Sequence, residues 1–164
     1  MQVGLSIINR RTFLVSASAA AGLTPLLVYA ETSSTETSGA SGHERSQKFF
    51  DEFARLVGNA TPVEGKITVD LPEVADNGNF VPITISIDSP MTDADHVKAI
   101  HILATANPVA HVATFRLAPI NAVARVQSRI RLAKTEDVVT LAELSNGTML
   151  IATTNVKVTI GGCD

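Results

Sequence analysis

Residues 81–88 read VPITISID, and this stretch decides the fold. Val81, Ile83, Ile85 and Ile87 alternate with Pro82, Thr84, Ser86 and Asp88. A period of two places the four aliphatic side chains on one face of an extended chain, which is the pattern of a half-buried β-strand. Pro82 has no N–H to give to a ladder, so it predicts an edge strand or a bulge. Working outward, the same period recurs. Ile67, Val69 and Leu71 alternate with polar residues upstream. Residues 97–105 and 111–117 give two further strands, with the turn-forming Asn107-Pro108 between them. Ala124, Val126, Ser128, Ile130 and Leu132 alternate with Val123, Arg125, Gln127, Arg129 and Arg131, so one face of that strand is basic. Residues 138–144 and 149–160 complete the set, joined by Asn146-Gly147, a strong hairpin turn.

About seven short strands with regular turn signals predict an all-β chain folded as an immunoglobulin-like β-sandwich over residues 59–160. No helical period occurs after residue 60, which disfavours an α/β enzyme fold. Apolar residues make up 45% of the chain, enough for a core. Aromatics are only 4%, so that core is built from Val, Ile, Leu and Ala.

Residues 43–58 have a different period. Phe49, Phe50, Phe53, Leu56 and Val57 form one stripe of a short amphipathic helix. Ser41 and Glu44 have capping-box spacing, and Gly58 followed by Pro62 is a C-terminal stop. Two readings of the stripe stand: docking on its own domain, or contact with another subunit.

The N-terminus reads as an address. Asn9-Arg10-Arg11-Thr12-Phe13-Leu14 precedes a weakly apolar run and ends in Val28-Tyr29-Ala30. Basic region, apolar region and small-residue cleavage site predict a signal peptide over residues 1–30. The paired arginines point to the twin-arginine route and the periplasm. A membrane anchor is the rival reading, disfavoured because the apolar run is short. No stable membrane insertion is expected of the mature chain. Residues 31–42, ETSSTETSGASG, read as a flexible linker. Loss of Arg10 and Arg11 leaves 11 of the 13 basic residues against 16 acidic ones, a net of −5. That balance argues against nucleic-acid binding.

Few residues are placed for chemistry. His43, His96, His101 and His111 lack metal-ligand spacing on one element, so no metal and no cofactor is expected. Asp93 and Asp95 are explained by a turn. The face from Arg125 to Arg131 either steers an anion or acidic partner, or is a solvated strand face. The lone cysteine, Cys163, stands in Gly161-Gly162-Cys163-Asp164. It can make no intrachain disulfide. Two glycines before it predict a thin, mobile arm over residues 161–164. A thiolate is a good nucleophile and can hold another sulfur group. No base accompanies it in sequence, so the thiol reads as a carrier's reactive group with no catalytic residue beside it. An interaction module cross-linked through an interchain disulfide and a thiol-disulfide enzyme are the competing readings. The latter is weakest, since a second cysteine is missing from the sequence.

Several segments resemble the SoxY family of sulfur-oxidation carriers. They are Leu71-Pro72-Glu73-Val74-Ala75-Asp76-Asn77-Gly78 with Val81-Pro82, Asp88-Ser89-Pro90-Met91-Thr92 leading into Lys98-Ala99-Ile100-His101, and Ala113-Thr114-Phe115. Arg129-Ile130-Arg131-Leu132-Ala133-Lys134-Thr135 and Val156-Lys157-Val158-Thr159-Ile160-Gly161-Gly162-Cys163 continue it. The resemblance implies a periplasmic, immunoglobulin-like carrier that is not itself an enzyme. It implies a heterodimer with a SoxZ-like β-sandwich subunit. Cys163 would carry thiosulfate-derived sulfur, with Gly161 and Gly162 as a slim arm. Transient partners would be a c-type cytochrome complex, a dimanganese sulfate-releasing hydrolase and a sulfane dehydrogenase. The family motif continues with glycine after the cysteine, whereas Asp164 follows here. The carboxylates of Asp164 and of the terminus are expected to raise the thiol pKa and to repel anionic adducts.

Overall fold

The structure, a computed structural model, describes residues 44–162. The signal, the linker, Ser41, His43, Cys163 and Asp164 lie outside the described residues. In chain order the elements are α1 (Gln47–Val57), β1 (Val63–Glu64), β2 (Ile67–Asp70), β3 (Val74–Asn77), β4 (Val81–Ile87), β5 (Val97–Ala104), β6 (His111–Arg116), a 3-10 turn (Pro119–Asn121), β7 (Ala124–Ile130), β8 (Glu136–Leu144) and β9 (Met149–Ile160).

Two sheets form. The larger has the order β1-β9-β8-β5-β6, with β3 also paired to β9; the smaller has the order β2-β4-β7. Ile83 and Ile85 of β4 meet Ile100 and Ile102 of β5 and Val138 and Ala142 of β8 in the core between them. Burial along β4 alternates as the sequence predicts, with Val81, Ile83, Ile85 and Ile87 inward. The chain is an all-β, immunoglobulin-like sandwich with one short helix.

Three details differ from the sequence reading. First, nine strands are present among the described residues, not seven. The additional ones, β1 and β3, run parallel to β9, at Val63↔Leu150 and at Val74↔Lys157. Val63-Glu64 is too short for a period to show, and Val74-Ala75-Asp76-Asn77 does not alternate apolar with polar residues. Second, β4 is the central strand of its sheet, and its pairing with β7 runs without a bulge from Val81↔Ile130 to Ile87↔Ala124. Pro82 is tolerated because β2 reaches only as far as Thr84, so one side of β4 is uncovered at Pro82. Third, α1 starts at Gln47, with Ser46 as its N-cap: the Ser46 hydroxyl accepts the Phe49 N–H at 3.2 Å. The capping box at Ser41 and Glu44 is therefore not the start of this helix. Gly58 is its C-cap, as read from sequence.

The helix stripe docks on its own domain. Phe49 is 2% exposed and packs with Leu103, Ala110, Val139, Leu141 and Met149, flanked by Phe53, Leu56 and Val57. This second core lies on the outer face of the larger sheet. It explains why β5 and β8 are buried almost continuously rather than alternately. A strand covered on both faces loses its polar face. Among the described residues no helix is long and apolar enough to cross a membrane.

Candidate functional site

Three segments far apart in sequence meet where β9 ends. They are Gly78 after β3, Leu132-Ala133 after β7, and Gly161-Gly162 after β9. A ring of three backbone hydrogen bonds joins them. The Gly78 N–H donates to Ile160 O at 2.7 Å, the Leu132 N–H to Gly78 O at 2.9 Å, and the Gly162 N–H to Leu132 O at 2.9 Å. The approach is close enough to exclude side chains. A Cβ on Gly78 would lie 2.2 Å from Leu132 O and 2.9 Å from the Gly162 nitrogen. A Cβ on Gly161 would lie 2.2 Å from Ala133 O, and one on Gly162 would lie 2.4 Å from the Gly78 carbonyl carbon. In this structure Gly161 and Gly162 thus rest against the body of the domain, which differs from an arm that is free from Gly161 onward.

The loop beneath is held from inside. Asn107 spans it: its Oδ1 accepts the Ala133 N–H at 2.7 Å, and its Nδ2 donates to Arg131 O at 2.8 Å. Sequence reading made Asn107 a turn former; it is buried and bridges two loops. The Glu136 carboxylate backs it, with Oε2 accepting the N–H groups of Ala106 (2.6 Å) and Asn107 (3.1 Å). Burial pushes the Glu136 carboxyl above the usual range, and the amides of Ala106, Ala133 and Asn107 pull the other way. Its Oε1 is buried with no hydrogen-bond partner among the described residues. Thr135 ties the same loop to β9, its hydroxyl accepting the Val158 N–H at 3.0 Å. Phe80 and Ile160, both about two-thirds exposed, flank the meeting point.

A second polar cluster lies on the outer face of the larger sheet, and sequence spacing did not reveal it. The Thr114 hydroxyl is 2.8 Å from both His101 Nδ1 and His111 Nε2. His111 Nδ1 lies 3.3 Å from Glu52 of α1, which also holds Arg55. His101 and His111 are distant in sequence, and antiparallel pairing of β5 with β6 brings them together. Burial, then the proximity of His111, pushes His101 below the usual imidazole range. His96, by contrast, lies in the turn before β5, where its Nδ1 is 3.0 Å from Thr92 O. Asp95 is part of that turn too, its N–H donating to the Thr92 hydroxyl at 3.1 Å. Arg125 and Arg129 stand on the exposed face of β7, and Arg131 is exposed beyond it.

The model of the family described as "Sulfur oxidation protein SoxY" matches residues 53–163, from within α1 through the three converging segments to Cys163. The chain belongs to the SoxY family. Among solved structures it is similar to the sulfur carrier protein SoxY from Chlorobium limicola f thiosulfatophilum, with 34% identity and a TM-score of 0.58. That match covers 69% of this chain and 97% of the other. A superoxide reductase (neelaredoxin) variant from Ignicoccus hospitalis matches at 15% identity and TM-score 0.52, covering 57% of this chain and 79% of its own. A putative superoxide reductase from Thermotoga maritima matches at 15% and 0.52, covering 59% and 93%. At that identity the likeness to the reductases is one of fold alone. A search of curated proteins returned no match. As a SoxY-family member, the chain has its family match running through the Gly161-Gly162-Cys163 motif.

Proposed function

We propose that this protein is a covalent sulfur carrier in the oxidation of reduced sulfur, with Cys163 as the attachment point and no catalytic residue of its own. The observation that carries this reading is SoxY-family membership, with a match that ends on Cys163. The thiolate and thiosulfate join through a new S–S bond, and the electron pair released passes to a c-type cytochrome acceptor. The resulting thiosulfonate then serves as the substrate of a sulfate-releasing hydrolase and a sulfane dehydrogenase. A SoxZ-like β-sandwich subunit completes the carrier. The twin-arginine signal over residues 1–30 supports a periplasmic location. Asp164 beside the thiol disfavours anionic adducts, so acceptance by each partner enzyme is set partly at that position.

The test is intact-mass measurement of the mature protein incubated with thiosulfate and its cognate cytochrome. The expected result is a gain of one thiosulfate-derived group that disappears in Cys163→Ser. A gain retained in the serine variant, or a reducible homodimer with no adduct, overturns the proposal.

A further inference from the structure

Gly78 has an unexplained residue type. Its φ lies outside the left-handed region, where Gly58, Gly65 and Gly147 are found. Backbone conformation therefore does not demand glycine at this position. Gly161 and Gly162 are likewise outside that region. What excludes a side chain at all three is space. The Gly78 notch is closed by Leu132 O on one side and by the Gly162 nitrogen on the other.

We infer that Gly78 is a positioning residue for the carrier arm: its missing side chain leaves the notch in which the Gly162 backbone lies, holding the arm to the body up to the residue before Cys163. The inference rests on Cys163 being the attachment point. Gly78 acts through backbone alone. Its carbonyl accepts the Leu132 N–H, which orients the Leu132 carbonyl toward the Gly162 N–H. Leu132 itself is fully buried, so its carbonyl is fixed to the core. The glycine pair before the thiol thus has a docked state, set by contact with Gly78 and Ala133. Undocking this pair requires the Gly162–Leu132 hydrogen bond to open and the packing against Gly78 and Ala133 to be lost. The bond from Gly78 to Ile160 O stays on the body side of the hinge.

The experiment uses the full mature chain and two readouts that need no sulfur transfer: amide hydrogen exchange at Gly162 and Leu132, and the rate of Cys163 alkylation by iodoacetamide. In the wild type the Gly162 amide should exchange about five- to tenfold slower than an open one, the protection that one net backbone bond supplies. Gly162→Ala alters only the arm. It should abolish protection at Gly162, keep it at Leu132, speed alkylation by a similar factor, and leave the melting temperature unchanged. Gly78→Ala should remove protection at both amides and speed alkylation equally. If Gly78→Ala does not fold, Gly162→Ala carries the test. An unprotected Gly162 in the wild type, or exchange and alkylation unchanged in Gly162→Ala, overturns the inference. The two proposals fail separately. A protected Gly162 in a protein that takes up no thiosulfate-derived mass sinks the carrier reading, whereas uptake with Gly162 unprotected sinks this one.

Discussion

Glu136 and Asn107 are joined through the backbone: Glu136 Oε2 accepts the Asn107 N–H at 3.1 Å, and both residues are buried. Asn107 then uses its side-chain amide to clamp Arg131 O and the Ala133 N–H. A buried carboxylate thereby reaches, through one asparagine, the loop on which Gly162 rests. The paired groups of this network fix its geometry, whereas Glu136 Oε1 is left without a partner among the described residues.

Asn107→Ala removes the side-chain partner of the Ala133 N–H and of the Arg131 carbonyl, both half-buried hydrogen bonds. At about 0.5–1.5 kcal/mol for each, a loss of about 1–3 kcal/mol is expected in denaturant unfolding. The loop should also release the arm root, so that the Gly162 amide exchanges faster. Stability within about 0.5 kcal/mol of wild type would show that the clamp contributes nothing.

Glu136 sets one pH dependence. Burial raises its carboxyl above the ordinary glutamate value of 4.5. The protonated form is therefore favoured in the folded state. The stability it contributes is full below the unfolded value and is lost as pH rises through the folded one. Glu136→Gln keeps an oxygen for the two backbone N–H groups and removes the titration. Relative to wild type, the variant should gain stability as pH is raised from about 4 to about 8. A stability difference that does not change across that range would contradict the assignment.

His101 sets another, with the opposite sign. Burial lowers its imidazole below the ordinary histidine value of 6.5, and nearby His111 pushes the same way. The neutral ring is favoured in the folded state. Its contribution is full above the unfolded value and is lost as pH falls through the folded one. An NMR titration should place the His101 midpoint below about 6.5. His101→Gln should make stability less sensitive to acidification. A midpoint at or above that of a free imidazole would refute the burial argument.

Phe49 and Phe50 are neighbours with opposite environments. Phe49 is 2% exposed in the core under α1, and Phe50 is 48% exposed. Phe49→Ala should cost about 3–5 kcal/mol in denaturant unfolding, by lost burial and the cavity left behind. Phe50→Ala should cost less than about 1 kcal/mol. Equal losses would mean that the helix docks differently.

The sandwich was legible because sheets with one buried face write a period of two into the chain, as in Val81, Ile83, Ile85 and Ile87. The helix was legible from its Phe49-Phe53-Leu56 stripe, although its true cap, Ser46, was not distinguished from Ser41. β5 and β8 were visible as apolar runs, but their double burial needed α1 to be placed against Leu103, Val139 and Leu141. His101 and His111 looked isolated, since strand pairing, not spacing, brings both to Thr114.

The arm shows where sequence stops. By itself the sequence determined the all-β class, the SoxY-like terminal motif and the lone thiol at Cys163, because local period and residue type encode these directly. It also showed two glycines before the cysteine, which read as freedom of motion. Tertiary structure alone decided that Gly78, Leu132 and Ala133 lie against them and that space, not backbone conformation, calls for glycine there. The physical reason is range: a backbone approach between segments tens of residues apart leaves no periodic trace in any of them.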